Sequence, residues 1–443
     1  MNIIHLYFSV SYLQGVSGLT VRTFTSIKII DHMLGILIGI ALFMFLVLIH
    51  ELGHFIAAKK AGVCVEEFGI GIPPKAITLW KDKAGTCYTL NRIPLGGFVR
   101  MKGESQDEGA GIQSQIDEKI HGKSFLSVSV GWKLIILMAG IFVNTLFAWI
   151  AFSVAFMQGT GTFFVVPDNL FPIESKSYFM PSVSFLQKEG LLSGDITTIP
   201  ATIEHVEVNS VAASVGIQSG DTIRAINDIP IAAFTLGKQL SQQLDTTFTI
   251  TWETNEGTIK NAPITCGSDT CFLGVKVADT GQGIEVLPIQ FQGWEAWKKG
   301  GHELRQQTRL TLAMLGSLGR KLFSGSGDQA AQAVNSLSGP LGIIKFGEAI
   351  LTQGGVRMYL GFAGMISLAL AIFNVLPIPA LDGGRAMSVL IQTIGRFPAK
   401  TYYTIEGYIT FAFFVLLMGL GIYIIFQDLN KFWGISLSAL WGG

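Results

Sequence analysis

Four stretches of this chain, 34–57, 134–157, 359–378 and 408–426, are each long and apolar enough to cross a bilayer as a helix, which takes about 20 residues. Within lipid, a spanning segment must satisfy its own backbone N–H and C=O groups, which favours the helix. Four transmembrane helices are therefore expected, and they constrain the fold more than any other feature. Composition agrees: 14% of the 443 residues are charged and 49% hydrophobic, against about 25% charged in soluble chains. The formal net charge is zero, so bulk charge gives no pointer to nucleic acid.

The connections between the spans differ in kind. The segment after the first span is rich in Gly and Pro and contains EEFGIGIPP (66–74) and NRIPLGGFVRMKGE (91–104). It reads as strands and turns. The connection from the second span to the third is long enough for a folded domain. Lys59, Lys60 and Lys133 flank the loop between spans one and two, and Arg385, Arg396 and Lys400 lie between spans three and four. The positive-inside bias makes both loops cytoplasmic and turns the large connection outward. Cys266 and Cys271 would then face an oxidising space and either pair or stay free, while Cys64 and Cys87 stay reduced. Residues 1–33 lack the pattern of a cleavable signal.

Within the outward connection, VEVNSVAASVGIQSGDTIRAINDIPI (206–231) places short strands around a small-residue helix and a Gly220–Asp221 turn. This resembles a PDZ domain, with Val211 where Pro is common and Asp228 where Gly is common. KEGLLSGDITTI (188–199) echoes the glycine–aspartate element, so 160–202 is expected to be a degenerate first copy before a clear one at 203–290. Residues 291–323 are amphipathic at helical period, and Trp294 and Trp297 suit a membrane interface.

The first span ends in LIHELGHF (48–55). Residues four apart on a helix differ by about 40° around its axis, so His50 and His54 share a face, with Glu51 about 60° from His54. This is the H-E-x-x-H pattern of zinc hydrolases, two ligands and a general base. Ionisable groups inside a span are costly and read as functional. His5, His32, His121, His205 and His302 lie outside the spans without such a pattern. A further ligand is expected from another span. The third ends in FNVLPIPALDGGRAM (373–387), where a Pro377-x-Pro379 break lets Asp382 turn inward. The freed backbone there would suit holding an extended peptide, and such backbone is tolerated only where protein or water covers it.

H-E-x-x-H in one span and N-x-x-P-x-P-x-L-D-G in a later one together resemble the site-2 protease family of intramembrane zinc proteases, and within it the bacterial type that cuts membrane-anchored anti-sigma factors. The resemblance covers most of residues 34–430. It implies that His50, His54 and Asp382 hold Zn2+, that Glu51 is the catalytic acid/base, and that Asn374 contacts substrate. It makes EEFGIGIPP a membrane-re-entrant β-hairpin with Gly69 and Gly71 at close-approach positions and a free strand edge for substrate. PLGGFVRMKGE matches a cytoplasmic family segment near the active site, and SGPLGI (338–343) matches a further family motif before the third span. The expected fold is an α-helical membrane protein with four transmembrane helices, that re-entrant hairpin and an extracytoplasmic PDZ-like β region. The implied divisions are an N-terminal extension (1–33), first span (34–57), cytoplasmic and re-entrant β loop (58–131), second span (132–157), PDZ-like region (158–290), amphipathic helices (291–356), third span (357–378), the loop bearing Asp382 (379–407), fourth span (408–427) and tail (428–443).

The implied activity is cleavage of the transmembrane segments of single-span proteins, after a first cut by another protease, in a bacterial inner membrane. The implied partners are an anti-sigma factor or signal-peptide remnant as substrate, the upstream protease and the lipid bilayer. A non-catalytic PDZ-bearing adaptor with a structural metal is the competing reading; Glu51 weighs against it, since a structural site needs no base. A metal transporter is a third, weakened by the lack of an inverted repeat.

Overall fold

The computed structural model describes residues 21–103, 123–166, 173–193, 200–207, 210–232, 236–241, 243, 246–265, 273–277, 285–323 and 339–433. Residues 1–20, both Cys266 and Cys271, and residues 194–199 of the second glycine–aspartate element lie outside these. The helices, in chain order, are α1 Val21–Ala61, α2 Val130–Gln158, α3 Val183–Glu189, α4 Val211–Ser214, α5 Leu236–Ser241, α6 Gly293–Leu322, α7 Pro340–Val375, α8 Asp382–Gly395 and α9 Ala399–Trp433. The strands are β1 Val65–Lys81, β2 Cys87–Met101, β3 Leu192–Ser193, β4 Ala201–Val206, β5 Thr222–Ile226, β6 Ile229–Pro230, β7 Thr247–Glu253, β8 Ile259–Thr265, β9 Val275–Val277 and β10 Glu285–Val286. They form two compact units, one of Met1–Ala155 with Leu318–Gly443 and the other of Phe156–Ser317.

The first unit holds helices long and apolar enough to cross a membrane at Gly35–Ala61, Val130–Gln158, Pro340–Val375 and Thr401–Lys431. α1 ends on Lys59 and Lys60, cations that complement the partial negative charge of a helix C-terminus. α1 and α2 run antiparallel at very close range. A side chain at Gly53 would come within 2.6 Å of the Ala139 carbonyl oxygen, the kind of backbone approach that small residues permit between membrane helices. α7 is two helices in one: at Gly355 the backbone swings to φ 65°, ψ −168°, a conformation open to glycine and hostile to other residues. The apolar span proper follows that break.

Between α1 and α2, β1 and β2 each bend back on themselves. Gly69 pairs with Phe98 on one side and Thr89 on the other, and Ile70 with Gly97 and Leu90. Further along, Ile77 pairs with Leu90 and Trp80 with Tyr88. The curled ladder therefore runs in the order 97–101, 65–70, 87–90, 77–81. Lys59 ties it to α1 by donating to Asp82 at 3.1 Å and to Thr86 at 2.6 Å. Its far half shows Ile72, Ile77, Leu79, Trp80 and Ile93 to the outside.

The second unit carries a sheet in the order β8-β7-β5-β4-β9, with β6 added to β5. Its strands alternate as a half-buried sheet should: in β7, Phe248, Ile250 and Trp252 point into a core shared with Ile203, Ile223, Ile226, Ile217 and Leu240. The β5–β6 turn sets Asn227 at φ 47° and Asp228 at φ 61°, the two-residue hairpin geometry that Asn and Asp tolerate. Asp221 accepts from the backbone N–H groups of Gln218 and Asn255, which fixes the Gly220–Asp221 turn. Elsewhere in the unit α6 buries an unexpected face. Ala296 and Leu310 are buried, but so are Glu303, Gln306 and Gln307, while Trp294 is largely exposed. The Glu303 carboxylate accepts from the Ser177 hydroxyl at 2.6 Å, the Tyr178 N–H at 2.7 Å and the Gln307 amide at 2.8 Å. Burial pushes this carboxyl above its ordinary range, although the hydrogen bonds from Ser177, Tyr178 and Gln307 pull it back.

Candidate metal centre

Near its C-terminal end α1 presents His50 and His54 one turn apart, both buried. The His54 Nδ1–H donates to the Ile136 carbonyl oxygen on α2 at 2.7 Å. A carbonyl only accepts, so this bond assigns the proton to Nδ1 and leaves Nε2 with its lone pair. That Nε2 lies 3.1 Å from the Nε2 of His50.

The carboxylate arrives from the other side of the chain's first unit. α7 ends at Val375, and Leu376 turns to φ −59°, ψ 141°. Ala380 takes a left-handed φ of 84°, Leu381 is extended, and Asp382 opens α8. The chain folds back so tightly that side chains at Gly383 and Gly384 would strike the carbonyl oxygens of Val375 and Ile378, each at 2.1 Å. The two glycines after Asp382 are thus what let it turn inward. Asp382 Oδ2 lies 2.9 Å from His50 Nε2 and 3.3 Å from His54 Nε2.

These three groups can offer one ligand atom each to a single ion. Zinc held at about 2.0–2.1 Å in a tetrahedron separates its donors by roughly 3.3 Å, which matches the observed 3.1, 2.9 and 3.3 Å. Two imidazole nitrogens and one carboxylate oxygen are also the donor chemistry zinc takes, with a fourth position left for water or substrate.

Two glycines complete the surroundings: Gly97 lies in the PLGGFVRMKGE segment that the family resemblance puts near the active site, while nothing in the sequence marks Gly140. A side chain at Gly140 on α2 would come within 2.6 Å of His54 Nε2 and 2.8 Å of His50 Nδ1, so the imidazoles need a bare backbone there. A side chain at Gly97 on β2 would sit 3.0 Å from the Gly69 carbonyl oxygen and 3.7 Å from Glu51 Cγ. The segment around Gly97 therefore passes beside Glu51. A glycine inside an apolar span hints at close approach, but not at what approaches.

The other expected site residues are more dispersed. Asn374 is half-buried on the last turn of α7 and Pro377 is exposed. Pro379 helps line a crevice of about 450 Å³ between α8 and α9, with Met387, Ile391, Tyr402 and Ile405. Gly69 and Gly71 are buried. The free edge expected on their strand is not there: Gly69 is paired on both sides. Among the described residues the ladder's open edge near the site belongs to 97–99.

Spans that gather two histidines, an adjacent glutamate and a distant aspartate in one buried place have the layout of a membrane-embedded metallohydrolase. The sequence matches the profile of Peptidase family M50 over residues 38–419, and the chain belongs to that family. It is similar to the regulator of sigma-E protease RseP of Escherichia coli (strain K12), with 27% identity over 471 residues that cover 87% of this chain and 96% of the relative. A candidate zinc metalloprotease of Helicobacter pylori (strain J99) is 29% identical over 404 residues, covering 89% of this chain and 99% of its own. One from Streptococcus pyogenes serotype M1 is 27% identical over 446 residues, covering 90% and 99%.

Proposed function

We propose that this chain is an intramembrane zinc endopeptidase that cuts the transmembrane segments of single-span membrane proteins after another protease has trimmed them. The observation that carries the reading is the meeting of His50, His54 and Asp382 at zinc-like spacing beside Glu51. Bound by those three residues, zinc would polarise the scissile carbonyl and acidify a water.

The remaining work falls to the chain's own groups. Glu51 takes the proton from the attacking water and delivers it to the leaving amine. His54, held through Nδ1 by Ile136, keeps its Nε2 aimed at the ion. A helical substrate hides its carbonyls in its own hydrogen bonds, so it must unwind before it can be cut. The edge at 97–99 offers an extended peptide a strand to add to, next to Glu51. Asn374 and the backbone freed by Pro377 and Pro379 hold the other side of the unwound segment. Gly69 and Gly71 support this edge from within the ladder, whose apolar far half dips into the bilayer. The sheet unit is a PDZ-like region on the extracytoplasmic side that restricts which substrates reach the site, while the metal site lies toward the cytoplasmic face of a bacterial inner membrane. A membrane-anchored anti-sigma factor or a leftover signal peptide is the substrate type that fits.

The test is co-expression of the chain, or its Glu51→Gln form, with a panel of tagged single-span proteins. Fragments that vanish with the parent and accumulate with Glu51→Gln support the reading. Equal cleavage by both forms would sink it.

A further inference from the structure

We propose that the crevice between α8 and α9 is a lipid site that takes an amine-bearing phospholipid, its ammonium on Glu406 and the start of an acyl chain between the two helices. The crevice measures about 450 Å³, within the range of roughly 300–1,000 Å³ typical of small-molecule sites. Met387, Ile391, Phe397, Ile405 and Ile409 line it and keep between 41% and 56% of their surface open. Hydrocarbon is favoured over water in such a space, since a water stays only where several polar groups hold it. A site of this kind depends on the membrane spans and not on the zinc.

The depth of the crevice selects a lipid. α9 carries the apolar span Thr401–Lys431, 31 residues long, which is roughly 45 Å at about 1.5 Å per residue. That length matches a bilayer with its headgroup layers, about 40–45 Å around a hydrocarbon core of about 30 Å. Glu406 stands five residues inside the span, so about 7.5 Å below its end, at the boundary between headgroups and chains. Phe397, Thr401 and Tyr402 line the crevice on the headgroup side of that boundary, and Ile409 and Thr410 on the hydrocarbon side. The most apolar window of this span has no buried residue, so α9 meets lipid along it.

Charge narrows the lipid to one with an amine. An ionisable group in an apolar span is costly and marks a functional place. The Glu406 carboxylate looks across to α8, where it faces the Ser388 hydroxyl and has Arg385 as a neighbouring cation. Arg385 also lies over the Phe125 ring, 5.9 Å from its centre. Ser388 is buried, and its oxygen is 3.2 Å from the Tyr402 hydroxyl. A carboxylate has about four acceptor sites, so Ser388 leaves room for an ammonium. A primary ammonium brings three donors and a positive charge. Choline has no N–H to give, and an anionic headgroup would be repelled. α8 turns Gly384, Met387, Ser388 and Ile391 to the crevice, which at about 100° per residue is the side opposite Asp382. A seated lipid thus braces, from behind, the helix that opens on Asp382.

In the experiment the full-length chain is purified in mild detergent and incubated with equal amounts of phosphatidylethanolamine, phosphatidylcholine and phosphatidylglycerol. The lipid it keeps is counted by native mass spectrometry. Phosphatidylethanolamine is expected to be held about 10-fold in preference to the other two. Glu406→Gln, which removes the charge and keeps the shape, should hold all three alike. Met387→Trp, which fills the crevice, should lose the preferred lipid, and Ile405→Trp takes its place if that variant does not fold. Phe411→Trp, on the side of α9 away from the crevice, should behave as the parent. Equal retention of the three lipids by the parent would overturn the proposal, and so would a preference that survives Glu406→Gln or the filled crevice. A parent chain that keeps no lipid, while a photoreactive residue in place of Ile405 cross-links to a co-expressed single-span protein, would also overturn it and assign the crevice to a protein segment.

Discussion

Each unit of the molecule buries a polar cluster, and the two clusters are built on opposite rules. In the sheet unit, Glu303 is fully buried, and three donors from Ser177, Tyr178 and Gln307 answer its oxygens. In the membrane unit, His50, His54 and Asp382 turn ligand atoms toward one another at about the edge lengths of a zinc tetrahedron. Burial is similar in both places and therefore does not tell them apart. What separates a strut from a site is whether lone pairs are answered by donors or gathered on one point.

The contrast can be broken at several strengths. Glu51→Gln should have the largest effect, a fall in turnover of about 10²–10⁴-fold with zinc content unchanged, because it removes a general base and no ligand. Turnover and metal content measured on the same preparation check it. Gly140→Val should come next, since its side chain would enter the space of both imidazoles. Zinc affinity is expected to drop at least about 10-fold, while the same substitution at Gly419, where a side chain meets nothing within 4 Å, should leave it alone. Glu303→Ala should do the reverse of Glu51→Gln. It strands buried donors and should cost the sheet unit roughly 2–4 kcal/mol without changing zinc affinity, as read by denaturation followed at Trp252. The smallest effect is one of pH. Because folding raises the Glu303 carboxyl, the folded form holds its proton longer than the unfolded one. Stability should then decline as pH rises from the ordinary carboxyl range through the raised folded value, and level off above it. His302, the neighbouring charge on α6, acts against this shift, so the slope should be read with His302→Gln as a control.

Much of this was legible in the sequence, for reasons that can be named. The four spans announce themselves because lipid demands long apolar helices. His50, Glu51 and His54 could be placed on one face because helical period fixes their relation. Asp382 could be put forward as the further ligand because two histidines leave one to be found on another span and the Pro377-x-Pro379 break frees its carboxylate to turn inward; the resemblance to a family then tied it to His50 and His54. Gly140 went unnoticed, and Gly383 and Gly384 stood only as the end of a motif, because what these glycines do lies in what approaches them from elsewhere in the chain. The same limit explains the misplaced strand edge. A run such as EEFGIGIPP reads as a strand, but which side of it stays open depends on a register set by residues 87–101. The polar buried face of α6 was also hidden, because Glu303 is satisfied by Ser177 and Tyr178, more than a hundred positions earlier.

The most direct test is zinc X-ray absorption on the purified chain, alone and with His50→Ala, His54→Ala or Asp382→Ala. The expected result is one zinc with two imidazoles and oxygen donors at about 2.0–2.1 Å, and loss of the metal or of the matching scatterer in each variant. A bound zinc whose spectrum carries no imidazole signal, or is the same in all three variants, would contradict the assignment of His50, His54 and Asp382 as its ligands.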